Sequence, residues 1–224
     1  MSCPALFLKI KHFSDAEMLA SAMADAVVSA AHQVLDVRDA FHLVLAGGST
    51  PKRSYELLRR KDIDWSRVHV WFGDERCLPL GDKERNDVMA EEALLQHVPI
   101  PASHIHRMAA ELGPVAGAED YCAQLKQFPV MDMVLLGMGE DGHTASLFPD
   151  NPALHDARDA VPVFDSPKPP PERVSMGLAY LNAARHRIVM VAGEGKKPAW
   201  QQVKAGASLP VALLREPEWY STLA

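Results

Sequence analysis

Residues 131–149 read MDMVLLGMGEDGHTASLFP, an apolar run of strand length that breaks into a glycine-rich loop. Residues 133–136 have the length and composition expected of a buried strand. The loop holds three glycines within six residues, and its polar side chains include Glu140, Asp141 and His143. Because it offers backbone amides, little steric bulk and a group that titrates near neutral pH, this loop is a candidate for chemistry.

Similar apolar runs elsewhere in the chain predict further strands. Residues 41–46, 68–72 and 187–192 lack a clean two-residue alternation, and polar or glycine-rich turns follow them. Helical patterns separate these runs along nearly the whole length. This order predicts an α/β fold, a mostly parallel sheet with helices on both faces, formed by residues 1–224 as a single domain. Ligands of such sheets bind beyond the carboxyl ends of the strands, where these loops would meet.

The other predicted elements are shorter or less regular. Ser14 is expected to cap a helix that runs to about Leu35. Pro51 suits the first turn of a second helix, and Asn86 is expected to cap a third. Residues 174–180 fit either a strand or a helix. The remaining predictions are strands at 6–10, 104–106 and 211–214, helices at 115–127 and through Trp200 and Val203, and a surface loop at 167–171.

Composition narrows the class of protein. Hydrophobic residues make up 48% and charged residues 23% of the 224, as in soluble globular domains. The net charge of -6 argues against a general nucleic-acid binder, which would carry a basic face. Cys3, Cys77 and Cys122 show no metal or redox spacing, which is typical of a reducing compartment. With no signal-peptide pattern and no apolar run near ~18 residues, a cytoplasmic protein is expected.

A second glycine-rich turn follows the predicted strand at residues 41–46. It consists of Gly47, Gly48, Ser49 and Thr50, and a helix is expected to begin there. Unpaired amides and the positive end of the helix dipole would make this turn a phosphate cradle, with two hydroxyls to help. The alternative is a tight turn whose side chains only cap the helix.

The loop at 137–149 permits other interpretations, which its context disfavours. Gly137, Gly139 and Gly142 match the dinucleotide-binding fingerprint, but only six residues separate Gly142 from Pro149, and no second strand ending in an acid follows. A metal site would need more ligands than His143 and its neighbouring carboxylates, and the other histidines are scattered. No metal is therefore expected.

Single residues of this edge have both a functional and an ordinary interpretation. His143 is either a general base, held in one tautomer by a carboxylate, or a side chain that fills the turn. Residues 74–76 (Asp-Glu-Arg) follow a predicted strand and are either part of a site or a solvated charge cluster. Arg173 and Lys196 are candidate anion contacts or surface charges, and the glycine-rich turn around Lys196 favours the former.

Together these motifs resemble the 6-phosphogluconolactonases, a family that shares its superfamily with glucosamine-6-phosphate deaminase. The resemblance runs in order over nearly the full chain and implies a Rossmann-like parallel α/β sheet, in agreement with the fold predicted above. The segments that carry it are LAGGSTP at 45–51, WFGDER at 71–76, Asn86, GMGEDGHTASLFP at 137–149, residues 171–173, LNAAR at 181–185 and GEGK at 193–196.

The resemblance implies hydrolysis of 6-phospho-D-glucono-1,5-lactone to 6-phospho-D-gluconate, a step of the oxidative pentose phosphate pathway. His143 would take a proton from the attacking water, oriented by Asp141 or Asp74. Backbone amides of the glycine loop and Arg76 would stabilise the oxyanion. The expected phosphate ligands are Gly47, Gly48, Ser49, Thr50, Arg173 and Lys196.

Two positions separate the lactonases from the deaminases of this superfamily. The deaminases have an aromatic residue after Asp-Glu and a catalytic glutamate before the proline that closes the histidine loop. Here these positions hold Arg76 and Phe148, and a histidine without its glutamate partner would be a poor deaminase. A deaminase/isomerase-like enzyme and a non-catalytic sugar-phosphate binding module remain the alternatives, and His143 argues against the module.

The chain departs from the lactonase pattern in two places. Arg85 stands before Asn86 where the family usually has serine, and the segment after Pro210 lacks the usual glycine and aspartate. Neither departure removes a proposed catalytic group. The expectation is an enzyme without cofactor or metal, which acts on a small-molecule sugar phosphate lactone, contacts no nucleic acid or membrane, and is a monomer or weak homodimer.

Overall fold

The computed structural model of the protein describes residues 8–128 and 130–224. Its strands are β1 (Lys9–His12), β2 (Phe41–Leu45), β3 (Val68–Phe72), β4 (Asp74–Arg76), β5 (Ile105–His106), β6 (Met133–Gly137), β7 (Ala160–Val163), β8 (Arg173–Met176), β9 (His186–Val191) and β10 (Glu218–Ser221). Its helices are α1 (Ala16–Leu35), α2 (Ser49–Leu58), α3 (Asn86–Ala93), α4 (Pro114–Leu125), α5 (Leu178–Ala183) and α6 (Lys197–Lys204).

Seven of the strands form one sheet in the order β1-β10-β9-β6-β2-β3-β5, and all its neighbours pair in parallel. Alternate residues of its strands enter two cores. In β2, Leu43 and Leu45 pack into the core with α1, α2 and α3, whereas Val44 packs into the core with α4 and α6. Helices therefore cover both faces, which confirms the predicted fold class.

A second, antiparallel sheet of three strands, in the order β4-β8-β7, was not predicted. Gly73 alone separates β3 from β4. Its N–H donates to the carbonyl of Leu45 at 2.9 Å, and its carbonyl accepts from the N–H of Met176 at 2.8 Å. Gly73 thus bonds to β2 of the large sheet on one side and to β8 of the small sheet on the other.

Several predicted boundaries are corrected by the structure. Asp15, not Ser14, caps α1, because its carboxylate accepts from the N–H of Met18 at 2.8 Å. Asn86 is the first residue of α3 and makes no capping hydrogen bond. Residues 174–180 divide into the end of β8 and the start of α5, and residues 6 and 7 of the first predicted strand lie outside the described residues.

The strand predicted at residues 211–214 is wrong. Pro210–Leu213 forms a 3-10 turn, and the strand of this region is β10 at Glu218–Ser221, which lies between β1 and β9. Proline suits the first position of a helical turn because it needs no N–H there, so the apolar residues after it pack as a turn.

Helix α1 is the one helix in the described ranges that is long and apolar enough to span a membrane by length and composition. Its apolar character has a structural reason within the fold. Leu19, Met23 and Val27 are buried, and they belong to the core that α1 shares with α2, α3 and the sheet. The apolar residues of this helix therefore fit a helix that packs one face against an α/β sheet.

The hydroxyl of Tyr55 in α2 holds the start of the turn between β2 and α2 in place. Its hydroxyl accepts from the N–H of Ala46 and donates to the carbonyl of Ala46, both at 2.9 Å. The residue is fully buried, and burial raises the pKa of its hydroxyl above the ordinary range. This pair of hydrogen bonds holds the start of the turn at residues 47–50 against the sheet.

Four histidines lie together near the β5 edge of the sheet. His42 and His69 are register partners in β2 and β3 with rings 4.8 Å apart, and His69 Nδ1 lies 3.0 Å from His106 Nε2. His104 stacks on His69 at 3.9 Å. Burial, followed by the neighbouring histidines, lowers the pKa of His69 and of His106 to about 4. His69 and His106 are therefore neutral at pH 7.

We expect His69 and His106 to make the protein acid-labile between about pH 6.5 and pH 4. A histidine whose pKa is lower in the folded state contributes stability above its unfolded pKa, and that stability is lost as the pH falls towards the folded pKa. Urea unfolding at pH 7, 5.5 and 4.5 should show a smaller pH dependence for His69→Gln than for the wild type. The exposed His12→Gln is the control, and equal slopes for His69→Gln and the wild type would contradict the expectation.

Candidate active site

A cavity of about 360 Å³ lies at the carboxyl ends of β2 and β6 and contacts both sheets. Its position is that expected for ligand sites of parallel α/β sheets. The residues that line it are Ala46, Gly47, Gly48, Asp74, Arg76, Asn86, Gly137, Met138, Gly139, Glu140, His143, Ala145, Lys168, Pro169, Arg173 and Lys196.

His143 lies in this cavity with one ring nitrogen bonded. Its Nδ1 is 2.5 Å from Asp141 Oδ1, and its backbone N–H donates to the same oxygen at 3.1 Å. A carboxylate can only accept, so Nδ1 carries a proton, and in the neutral imidazole Nε2 keeps its lone pair. The ring of Phe148 packs against the imidazole with centroids 4.5 Å apart. The imidazole is thus oriented with a basic nitrogen available to a ligand.

The glycines of the loop allow this arrangement. A Cβ at Gly139 would lie 2.1 Å from His143 Nδ1, so any side chain there would displace the imidazole. Gly142 has a φ of +79°, a backbone conformation that other residues rarely adopt. The predicted alternative of a dinucleotide site is not supported, because an isolated bridge between Thr144 and Leu147 follows Gly142 where that fingerprint requires a helix.

Asp141 remains ionised across the ordinary pH range. Burial raises the pKa of its carboxyl, but the hydrogen bonds and charge of His143 outweigh this effect and bring the pKa to about 2. An ionised Asp141 keeps the proton of the imidazole on Nδ1. Of the two carboxylates expected to orient His143, Asp141 is the one in contact with it.

Asp74 lies on the opposite wall and has its own partners. It accepts at Oδ2 from Ser146 Oγ at 2.6 Å and at Oδ1 from Asn86 Nδ2 at 3.3 Å. Asn86 also donates to the carbonyl of Asp74 at 2.8 Å. A Cβ at Gly47 would lie 2.1 Å from Asn86 Oδ1, so Gly47 permits the close approach of Asn86. Asp74 is therefore a fixed acceptor at the cavity wall.

Arg76 lines the cavity. Its Nη1 donates to the carbonyl of Glu84, whereas its buried Nε has no partner among the described residues. The amides of the glycine loop are less available than expected. Those of Gly139 and Gly142 donate to the carbonyls of His143 and Gly139 within the loop. Arg76 therefore has unused hydrogen-bonding capacity, but its enclosed Nε would reach an oxyanion only after a movement of the side chain.

Arg173 lines the cavity, but most of its donors are already bonded. Its Nε donates to the carbonyl of Pro170 at 3.2 Å, and its Nη2 donates to the carbonyls of Lys168 and Pro169, both at 3.0 Å. The residue is only 6% exposed, and burial lowers the pKa of its guanidinium. The loop at 167–171, predicted as an ordinary surface loop, is thus anchored at the site.

Lys196 lies half-buried on the turn after β9, as the glycine-rich spacing predicted. Burial, and then the charge of Lys168, lower the pKa of its ammonium group, while Glu140 acts in the opposite sense. Lys168 was missed as a cavity residue, and Glu140 was predicted only as part of the candidate loop, without a role. Lys168 lies in a proline run that looks like surface loop, and Glu140 has no partner that sequence spacing would reveal.

The predicted phosphate cradle reaches the cavity only in part. Gly47 and Gly48 line it, whereas Ser49 and Thr50 begin α2 and do not. Gly48 has a φ of +111°, and α2 presents its N-terminal amides at this turn, since the first turn of a helix leaves them without helical partners. The turn can therefore contribute backbone donors and the positive end of a helix dipole.

A buried charge network surrounds Arg85, the residue before Asn86 of the cavity lining. Arg85, which is 1% exposed, donates to both oxygens of Asp87 at 3.0 and 3.1 Å and to Glu111 at 3.0 Å. Glu75 accepts from the N–H groups of Asn86 and Asp87, each at 2.8 Å. Burial raises the pKa of Glu75 to about 7. Arg85, which stands where the family usually has serine, is thus an internal cation.

In the described ranges, no group of three or more His, Cys, Asp and Glu side chains is arranged to hold a metal ion. The carboxylate beside His143 accepts a hydrogen bond from its Nδ1, and Asp74 accepts from Ser146 and Asn86. These hydrogen bonds orient His143 as an acid–base group and hold the carboxylates of Asp141 and Asp74 as acceptors. The site can thus accept a proton at His143 and attract anions near Lys168 and Lys196.

Comparison with known proteins gives the family of the chain. Residues 14–222 match the family of glucosamine-6-phosphate isomerases/6-phosphogluconolactonase. A 6-phosphogluconolactonase of Streptomyces coelicolor is 38% identical over 212 residues, which cover 86% of this chain and 81% of that protein. One of Mycobacterium tuberculosis is 37% identical over 221 residues, which cover 91% and 90%.

Solved structures agree with the sequence relatives. A 6-phosphogluconolactonase of Thermotoga maritima superposes with a TM-score of 0.89 at 25% identity, covering 96% of this chain and 99% of its own. One of Leishmania guyanensis superposes with a TM-score of 0.86 at 30% identity, covering 96% of both chains. The family match and these similarities span nearly the whole fold that builds the cavity. The chain belongs to the glucosamine-6-phosphate isomerase/6-phosphogluconolactonase family.

Proposed function

We propose that this chain hydrolyses 6-phospho-D-glucono-1,5-lactone to 6-phospho-D-gluconate, in the oxidative pentose phosphate pathway. The relatives named above are 6-phosphogluconolactonases, and the cavity has the two ends that such a substrate needs. The observation that carries the proposal is His143, which has Nδ1 bonded to Asp141 and Nε2 available. Lys196 lines the same cavity and supplies positive charge for a phosphate.

In the first step, His143 Nε2 takes a proton from water as the water oxygen bonds to the lactone carbonyl carbon. Asp141 stabilises the resulting imidazolium and keeps Nδ1 protonated. The tetrahedral intermediate then breaks its bond to the ring oxygen, and the imidazolium returns the proton to that oxygen. Water is consumed, a hydroxyl and a carboxylic acid are formed, and no group of the protein is covalently modified.

Arg76 would stabilise the oxyanion of the intermediate. Arg76 lines the cavity, and its enclosed Nε has no partner among the described residues, so a movement of the side chain would give a developing negative charge a donor without breaking a bond at Nε. One such donor typically contributes about 2.7–4 kcal/mol to stabilising the transition state. Asp74, which Ser146 and Asn86 hold in place, would accept a hydrogen bond from a substrate hydroxyl or from the water.

The two alternatives are less well supported by the geometry. A deaminase would need a glutamate in place of Phe148, whose ring instead packs on His143 and lies 5.7 Å from the Arg173 guanidinium. A sugar-phosphate binding module would have no use for an imidazole held in a basic tautomer. The lactonase proposal uses the imidazole as a base and needs no glutamate at residue 148.

The test is a hydrolysis assay with the phosphorylated lactone, run with and without EDTA and across pH 5 to 8. We expect activity in EDTA, because no metal takes part in the proposed steps. We expect kcat/KM to depend on pH, with the lower value on the acidic side, because a protonated Nε2 has no lone pair to accept the proton of water. Asp141, with a pKa of about 2, does not change its charge in that interval. Loss of activity in EDTA, or a flat pH profile, would contradict the mechanism.

A further inference from the structure

Lys168 lines the cavity but has no assigned role in the proposed reaction. It lies on the loop between β7 and β8, and its side chain is 44% exposed. Its Nζ is 3.7 Å from Glu140 Oε2, a pairing that a dianionic ligand could replace. A flexible ammonium with a weak, exposed partner at the edge of a substrate cavity is suited to bind an incoming anion.

The backbone of Lys168 is fixed even though its side chain is not. Its carbonyl accepts from Arg173 Nη2 at 3.0 Å and from Ser166 Oγ at 2.8 Å, and its N–H donates to Ser166 Oγ at 3.3 Å. Arg173 also bonds to the carbonyls of Pro169 and Pro170. One buried guanidinium therefore holds three consecutive carbonyls and sets where the Lys168 side chain begins.

Lys168 and Lys196 approach the same part of the cavity from different elements. Burial and the charge of Lys168 both lower the pKa of Lys196, so the two ammonium groups interact unfavourably. Glu140 lies between their segments, because a Cβ at Gly195 would lie only 2.6 Å from Glu140 Oε1. A phosphate dianion in the place of the Glu140 carboxylate would have the two ammonium groups of Lys168 and Lys196 around it.

We propose that Lys168 binds the phosphate of the substrate together with Lys196, and that Arg173 is a positioning residue that holds the Lys168 loop. The inference rests on the proposed function, since the phosphate is that of the proposed lactone. It changes the expected part of Arg173 from a phosphate ligand to a support for one. On binding, the phosphate replaces Glu140 as the partner of Lys168.

The first experiment measures phosphate binding directly, with inorganic phosphate and 6-phosphogluconate as probes in calorimetry. Lys168→Met should raise both dissociation constants about 10- to 100-fold, the effect of losing a charge-assisted hydrogen bond. Lys197→Met is the matched control, because Lys197 is exposed, pairs with Glu194 and does not line the cavity. Glu140→Gln should lower the dissociation constants, since it removes the competing anion.

The second experiment separates support from direct contact. Arg173→Lys keeps the charge but loses the planar group that bonds three carbonyls. If Arg173 acts through Lys168, this variant should weaken phosphate binding about as much as Lys168→Met, and the double variant should be little worse than either single one. Additive losses would overturn the positioning role.

Further outcomes decide the rest of the proposal. No detectable phosphate binding by the wild type, or equal effects of Lys168→Met and Lys197→Met, would overturn the phosphate site. In the hydrolysis assay, Lys168→Met should raise KM and leave kcat nearly unchanged. A wild type that binds phosphate but fails to hydrolyse the lactone would refute the proposed function and leave the phosphate site supported.

Discussion

His143→Ala is expected to lower kcat for the phosphorylated lactone by about 10²- to 10⁴-fold, the usual contribution of a general base. The variant loses the Nε2 lone pair that would accept the proton of the attacking water. The protein should still fold, because the side-chain hydrogen bond that is lost is to Asp141, whose carboxylate is 32% exposed and can bind water instead. The measurement is kcat under saturating substrate, with thermal unfolding of the same samples.

Two further variants sharpen this test. His155→Ala removes an exposed histidine shortly after the loop and should keep wild-type kcat. Asp141→Asn should also lower kcat, because the amide can donate to Nδ1 and so favours the tautomer that protonates Nε2. If His143→Ala retains wild-type kcat, no proton transfer depends on this residue.

Arg85→Met is expected to reduce the free energy of unfolding by about 3–5 kcal/mol, because it leaves buried carboxylates without their cation. Arg85 is bonded to Asp87 and Glu111, and its Nε lies 3.9 Å from Glu75. Urea unfolding at pH 8 measures the loss. It should shrink towards pH 5, since Glu75, with a raised pKa of about 7, can then take up a proton.

The control for this variant belongs to the same network. Arg107 pairs with Glu91 at 2.6 Å and lies 3.8 Å from Asp87, but its side chain is 39% exposed. Arg107→Met should therefore lose less than about 1 kcal/mol, as exposed ion pairs do. Similar losses for the two arginine variants would show that burial of Arg85 is not the cause.

Much of the large sheet could be predicted from the sequence because its strands are continuous apolar runs buried on both faces. The small sheet could not. Strand β4 is the charged tripeptide Asp74–Arg76, and only its pairing with β8 makes it a strand. The strand predicted at residues 211–214 was wrong because an apolar run does not reveal whether a neighbouring strand is available to pair with it.

The candidate site was predictable where its contacts are local. His143 and Asp141 are two residues apart, and their hydrogen bond needs only the glycine loop. Arg173 and Lys168 are bonded through backbone carbonyls, which no side-chain pattern encodes. The sequence showed only that arginine stands at residue 85 where the family usually has serine, because its acceptors Asp87 and Glu111 come together only in the fold.

Gly73 has a consequence for how the substrate enters. The walls of the cavity belong to two sheets, and a rotation of one against the other would be the simplest way to open it. Gly73 bonds to β2 and β8 at once and is the only residue between β3 and β4, so such a rotation would break paired backbone groups on both sides. We therefore expect the protein to admit substrate and release product by movement of loops and side chains, without a hinge between its sheets.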